Sequence, residues 1–107
     1  MKQYHVYILS NIKRNVFYIG VTGNLETRIL AHKAGIGSEF TSKYNCYYLM
    51  YVENFDDINV GIKREKQLKN WHRDWKINLI KDRNNAMEDL AKDWFTEYDI
   101  KNAKEIQ

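Results

Sequence analysis

At 107 residues, with 44% hydrophobic and 14% aromatic content, the chain suits one domain with a true core, which excludes a disordered polypeptide. A single cysteine, Cys46, excludes an internal disulfide and any cysteine-rich zinc site; the short apolar runs give no expectation of a signal peptide or membrane span, and a cytoplasmic protein is expected. The net charge of +3 is uneven, with 14 Lys/Arg against 8 Asp/Glu in residues 1–83 and 3 against 6 in residues 84–107, a basic body compatible with a polyanionic partner.

Residues 4–10 and 16–21 are short and rich in β-branched and aromatic side chains, with a polar loop of hairpin length, Asn11–Asn15, between them. They read as a β-hairpin. Asn24 can cap a helix over Leu25–Ala34, with Glu26 in its first turn and Gly35 as its stop. A flexible segment, Gly35–Ser42, leads to a third strand near Tyr47–Glu53. Asp56 or Asp57 starts a second helix running to about Trp71. Further helices are expected over Asp74–Arg83 and over Ala86–Asp99, where Met87, Leu90 and Trp94 fall on one side. The order ββαβααα predicts an α+β fold, a small three-stranded antiparallel sheet flanked by helices.

Glu65 is the most informative single residue. On a helix over Ile58–Trp71, Ile58, Gly61, Ile62 and Leu68 project near its direction, which puts a carboxylate in the apolar stripe. A buried carboxylate without compensation costs several kcal/mol, so it calls for a cation, a hydrogen-bond network or a raised pKa. A buried salt bridge to an arginine, or a side chain that snorkels out, satisfies the same pattern. Arg28 and His32 stand four apart and reach one patch. Arg can clamp phosphate oxygens, and a neutral His can accept a proton near pH 7; taken by itself, one such pair is first read as a solvated helix face. Tyr7 and Tyr18 lie at corresponding depths in the hairpin strands, where tyrosines are commonly core or surface residues.

As a set, these residues resemble the GIY-YIG nuclease domain family, closest to its small stand-alone bacterial members. The resemblance rests on Val6-Tyr7-Ile8, on Phe17-Tyr18-Ile19-Gly20-Val21-Thr22, on Leu25-Glu26-Thr27-Arg28 with His32, and on the segment Gly61–Trp71 that carries Glu65. With Phe40-Thr41 and Leu79-Ile80 it covers about residues 4–83. The spacing is specific: two tyrosines eleven apart, Arg ten further on, His four beyond, then a distal Glu. There are departures. The first motif reads His5-Val6-Tyr7 without its glycine, Val21 stands where some members have lysine, and the family's late asparagine has two candidates, Asn78 and Asn84.

The resemblance implies a metal-dependent endonuclease acting on nucleic acid, with DNA the expected polymer and no membrane partner. Its site would be Tyr7, Tyr18, Arg28, His32 and Glu65, with Glu65 the protein ligand of one Mg²⁺ or Mn²⁺. Residues 1–83 would form the nuclease domain, and residues 84–107 a helical C-terminal extension packed on it. The rival expectation is a nucleic-acid-binding module with little cleavage, its backbone contacts drawn from Lys63, Arg64, Lys66, Lys69, Arg73 and Lys76.

Overall fold

Buried residues on strand β1 (Tyr4–Ser10) run unbroken from Val6 to Ser10, because β1 is the central strand of its sheet and is covered on both faces. In the computed structural model, which describes residues 2–106, β1 pairs antiparallel with β2 (Phe17–Thr22) and with β3 (Tyr48–Phe55), in the order β2-β1-β3. The fold is α+β, a three-stranded antiparallel sheet flanked by helices, as the sequence predicts. The hairpin loop is fixed by Asn11, whose side chain accepts from the Asn15 and Val16 amides at 3.0 and 3.1 Å. That internal Asx bonding suits a short polar connection.

The two faces carry separate cores. On one, Val6, Ile8, Ile19 and Met50 meet Leu68 and Ile80 from α3 (Ile58–Lys69) and α4 (Arg73–Arg83). On the other, Tyr7, Leu9 and Leu49 meet Ile29 of α1 (Leu25–Lys33), together with Cys46 and Ala91. Asn24 caps α1 by accepting from the Thr27 amide, and Gly35 follows with φ +80°, the left-handed conformation that glycine adopts without strain. No described helix is long and apolar enough to cross a membrane.

Two expectations need correction. The segment read as flexible contains a short helix, α2 (Glu39–Tyr44), because Ser38 caps it by accepting from the Thr41 amide at 3.1 Å. The helix expected over Ala86–Asp99 does not form. Met87 has φ +51°, Leu90 and Trp94 are exposed, and Ala91 and Phe95 pack inward instead. Tertiary bonds outcompete the local pattern here. Asn84 donates to the carbonyls of Met50 and Glu88 and accepts from the Glu88 amide. Asp89 accepts from the Leu49 and Ala91 amides and from Lys33, and the Leu90 amide donates to the Leu49 carbonyl at 2.8 Å. A helix would break all of these. The last helix, α5 (Glu97–Ile106), starts later, where Thr96 and Asp99 exchange bonds in a reciprocal cap, and it packs on α1.

Candidate active site

Tyr7 pairs with Gly20 across the hairpin, and Tyr18 pairs with Leu9, so the two tyrosines share a face as diagonal neighbours offset by two residues. Their ring centroids lie 6.3 Å apart. Gly20 has a steric reason to be there: a Cβ at that position would collide with the Tyr7 ring and hydroxyl. His32 comes from the last turn of α1 and is fully buried, which removes the solvated-face reading for it. Its Nε2 lies 2.8 Å from the Tyr7 hydroxyl and its ring centroid 5.4 Å from that of Tyr18. Gly37 makes room behind it, since a Cβ there would strike the imidazole.

The other imidazole nitrogen leads to residues the sequence reading did not select. His32 Nδ1 lies 2.9 Å from Thr41 Oγ1, which in turn lies 2.9 Å from Ser38 Oγ. Thr41 is fully buried. The signal is faint: a Ser-x-x-Thr helix start in a segment expected to be flexible, with nothing local to link it to a histidine nine residues earlier.

Tyr7 has no other hydrogen-bond acceptor among the described residues, so its O–H donates to Nε2 and the hydrogen of neutral His32 sits on Nδ1. The electrostatics agree with a neutral pair. Burial pushes the Tyr7 phenol up to about 12, and the nearby Arg28 works against this. Burial, and then the Arg28 charge, pushes His32 down to about 4. Arg28 itself loses solvation, but its contacts with the Tyr7 and Tyr18 hydroxyls outweigh this and hold its pKa above the ordinary value. It forms no ion pair among the described residues.

Glu65, on α3, lies near enough for its charge to act on the Tyr7 hydroxyl, as the weakest of the influences on that phenol. Its side chain is only 16% exposed, and its one ionic partner among the described residues is Lys69, at a loose 3.5 Å. A largely buried carboxylate with so little compensation fits a hard cation that takes oxygen ligands. Among the described residues there is no cluster of three or more His, Cys, Asp or Glu side chains; a hard divalent ion that keeps waters as ligands can be held by one carboxylate. The candidates for the late asparagine are otherwise placed: Asn84 is committed to the Met50 carbonyl and the tail, and Asn78 lies on the exposed face of α4 beside Trp75. Of the six basic residues considered for backbone contact, Arg64 is spent on Glu53.

The family model for the GIY-YIG catalytic domain matches residues 3–78, the span that holds all five residues. The chain belongs to the GIY-YIG family. Its relatives include a UPF0213 protein of Staphylococcus haemolyticus, 35% identical, with 78% of this chain and all of the relative covered. A UPF0213 protein of Clostridium perfringens is also 35% identical, over 83% of this chain and 95% of its own length. One from Natronomonas pharaonis is 33% identical over 74% of this chain and 92% of its own. No solved structure gives a significant match. A GIY-YIG chain falls within a nuclease family, so nucleic acid is the substrate class that membership implies.

Proposed function

We propose that this chain is a divalent-metal-dependent endonuclease that hydrolyses phosphodiester bonds, with DNA as the polymer and Glu65 as the protein ligand of one Mg²⁺ or Mn²⁺. The observation that carries the reading is the 2.8 Å bond from the Tyr7 hydroxyl to His32, beside an arginine without an ion pair and an undercompensated glutamate.

A phenol held near 12 carries no standing phenolate at neutral pH, so Tyr7 cannot act as a simple base. The hydrogen bond offers another route. As water attacks phosphorus, its proton passes to the Tyr7 oxygen while the Tyr7 proton passes to His32 Nε2. Neutral His32 can take that proton because its hydrogen already sits on Nδ1, directed at Thr41. Burial makes His32 a weak acceptor in the resting site, and the negative charge building on the phosphate offsets that weakness. Arg28 binds a non-bridging oxygen through its planar fork as that charge develops. Tyr18 orients the water against Tyr7. The bond to the 3′ oxygen breaks, and that oxygen is protonated from solvent. Glu65 would hold the divalent ion, whose chemistry there would be to supply positive charge near the scissile phosphate.

The direct test is cleavage of labelled linear, flapped, branched and single-stranded DNA and RNA by the pure chain with Mg²⁺ or Mn²⁺. Glu65→Ala and Glu65→Gln are assayed alongside as the control for contaminating nuclease. Wild-type turnover that falls on the order of 10³-fold in both variants, with melting unchanged, is the expected result. Full activity in the variants would remove Glu65 from the mechanism.

A further inference from the structure

Helix α2 is built inside out. Its one fully buried side chain is Thr41, which meets His32, while Phe40 and Tyr44 are 41% and 42% exposed. Burial of apolar surface would favour the reverse. The two rings stand four apart on one face, with centroids 4.8 Å from each other, and Phe40 lies 5.8 Å from Tyr18. A run of three aromatic rings therefore leads from the reaction centre out to solvent. At its outer end the Lys43 ammonium lies 5.3 Å from the Tyr44 ring centroid, which puts a cation beside the last aromatic face.

We propose that Phe40 and Tyr44 are a stacking platform for an unpaired nucleobase next to the scissile phosphate. The chain then acts on substrates with unpaired nucleotides at the cleavage point in preference to continuous duplex. This rests on the nuclease reading above and adds the substrate class. Bases inside a duplex already stack on each other and offer no free face, whereas an unpaired base can lie on a protein ring. Stacking of this kind tolerates any base, and Lys43 supplies the charge for the adjoining phosphate. Continuity with Tyr18 favours this occupant, since a base held there brings its own phosphate toward Arg28.

The experiment uses the full chain and one oligonucleotide sequence as single strand, as duplex, and as a duplex with an unpaired flap. Two measurements are made: cleavage with Mg²⁺, and binding by anisotropy in EDTA. Wild type should cleave the single strand and the flap faster than the duplex. Phe40→Ala and Tyr44→Ala should weaken single-strand binding by about tenfold or more, leaving the salt dependence unchanged, and Phe40→Trp should restore it. Equal cleavage of duplex and single strand, or unchanged binding in both alanine variants, overturns the platform. The two readings fail separately. Cleavage that is indifferent to Phe40 leaves the nuclease without the platform. Binding that depends on Phe40, in a chain that cuts nothing, leaves the platform without the nuclease. A partner protein as the true occupant would appear as unchanged oligonucleotide affinity.

Discussion

The sheet carries two buried tyrosines pushed up to about 12, one on each face, and their surroundings differ in kind. Tyr51 donates to Glu53 at 2.6 Å, and Glu53 is held by both a 2.9 Å and a 2.8 Å bond from Arg64. Arg64 in turn lies over the Trp71 ring, and Arg83 over that of Tyr51. Burial works against the Glu53 charge, but the bonds from Arg64 and Tyr51 outweigh it and hold the carboxyl below its ordinary range. The glutamate and the nearer arginine there are spent on each other. Around Tyr7 the parts are similar, a phenol with an arginine and a glutamate, yet Arg28 and Glu65 are not paired with each other and the phenol is bonded to a neutral imidazole. A perturbed phenol is therefore common to both faces. What differs is that the arginine and glutamate pair with each other on one face only, and an arginine without an ion pair is one that can be offered to a phosphate.

The strongest way to break this contrast is Arg28→Ala. Loss of one donor to the transition state should lower kcat by about 10²–10³-fold while leaving the thermal midpoint near that of wild type; a small kinetic effect would make Arg28 a structural residue like Arg64. The next effect lies in acid stability. His32 is neutral when folded and its pKa is depressed to about 4, so between there and its unfolded value near 6.5 only the unfolded state binds the proton. Stability should therefore fall as pH drops through that window, by up to about 3 kcal/mol from His32. Urea melts in EDTA at pH 7 and 4.5 would show a smaller acid loss in His32→Gln than in wild type, and equal slopes would refute it.

The opposite face should respond in the opposite currency. Glu53→Gln leaves Arg64 without its partner and should cost about 1–3 kcal/mol of stability. Its kcat should stay within twofold or so of wild type, which a rate assay beside a denaturant melt would check. The smallest effect expected is at Thr41. Thr41→Val removes the acceptor for His32 Nδ1–H and should lower kcat by about tenfold with KM unchanged, whereas Thr41→Ser restores it. Nitrogen chemical shifts of His32 would report the change of tautomer, and an unchanged tautomer with unchanged rate would leave Thr41 as packing alone.

Much of this was legible in the chain. Asn24 and Gly35 bound α1, Asp57 caps α3 by accepting from the Asn59 amide, and β-branched runs mark the strands, because caps and periodicity are local physics. Glu65 could be singled out because a carboxylate among Gly61 and Leu68 violates the apolar pattern. Tyr7 and Tyr18 could not, since a strand tyrosine satisfies its pattern whether or not it does chemistry. The tail misled for a related reason. Met87, Leu90 and Trp94 have helical spacing, and no local signal reveals that Asp89 and Leu90 bond to Leu49 on β3.

The five-residue constellation was thus set by sequence as a list of residue types at fixed spacings, with family membership to match. Tertiary structure decided how those residues are arranged. It placed Tyr7 against His32, brought Thr41 and Ser38 up behind the imidazole, and paired Arg64 with Glu53 while giving Arg28 no ion pair among the described residues. Those outcomes depend on distances between segments remote in the chain. Hydrogen bonds and ion pairs act only over a few ångströms in space, and a local pattern carries no measure of that.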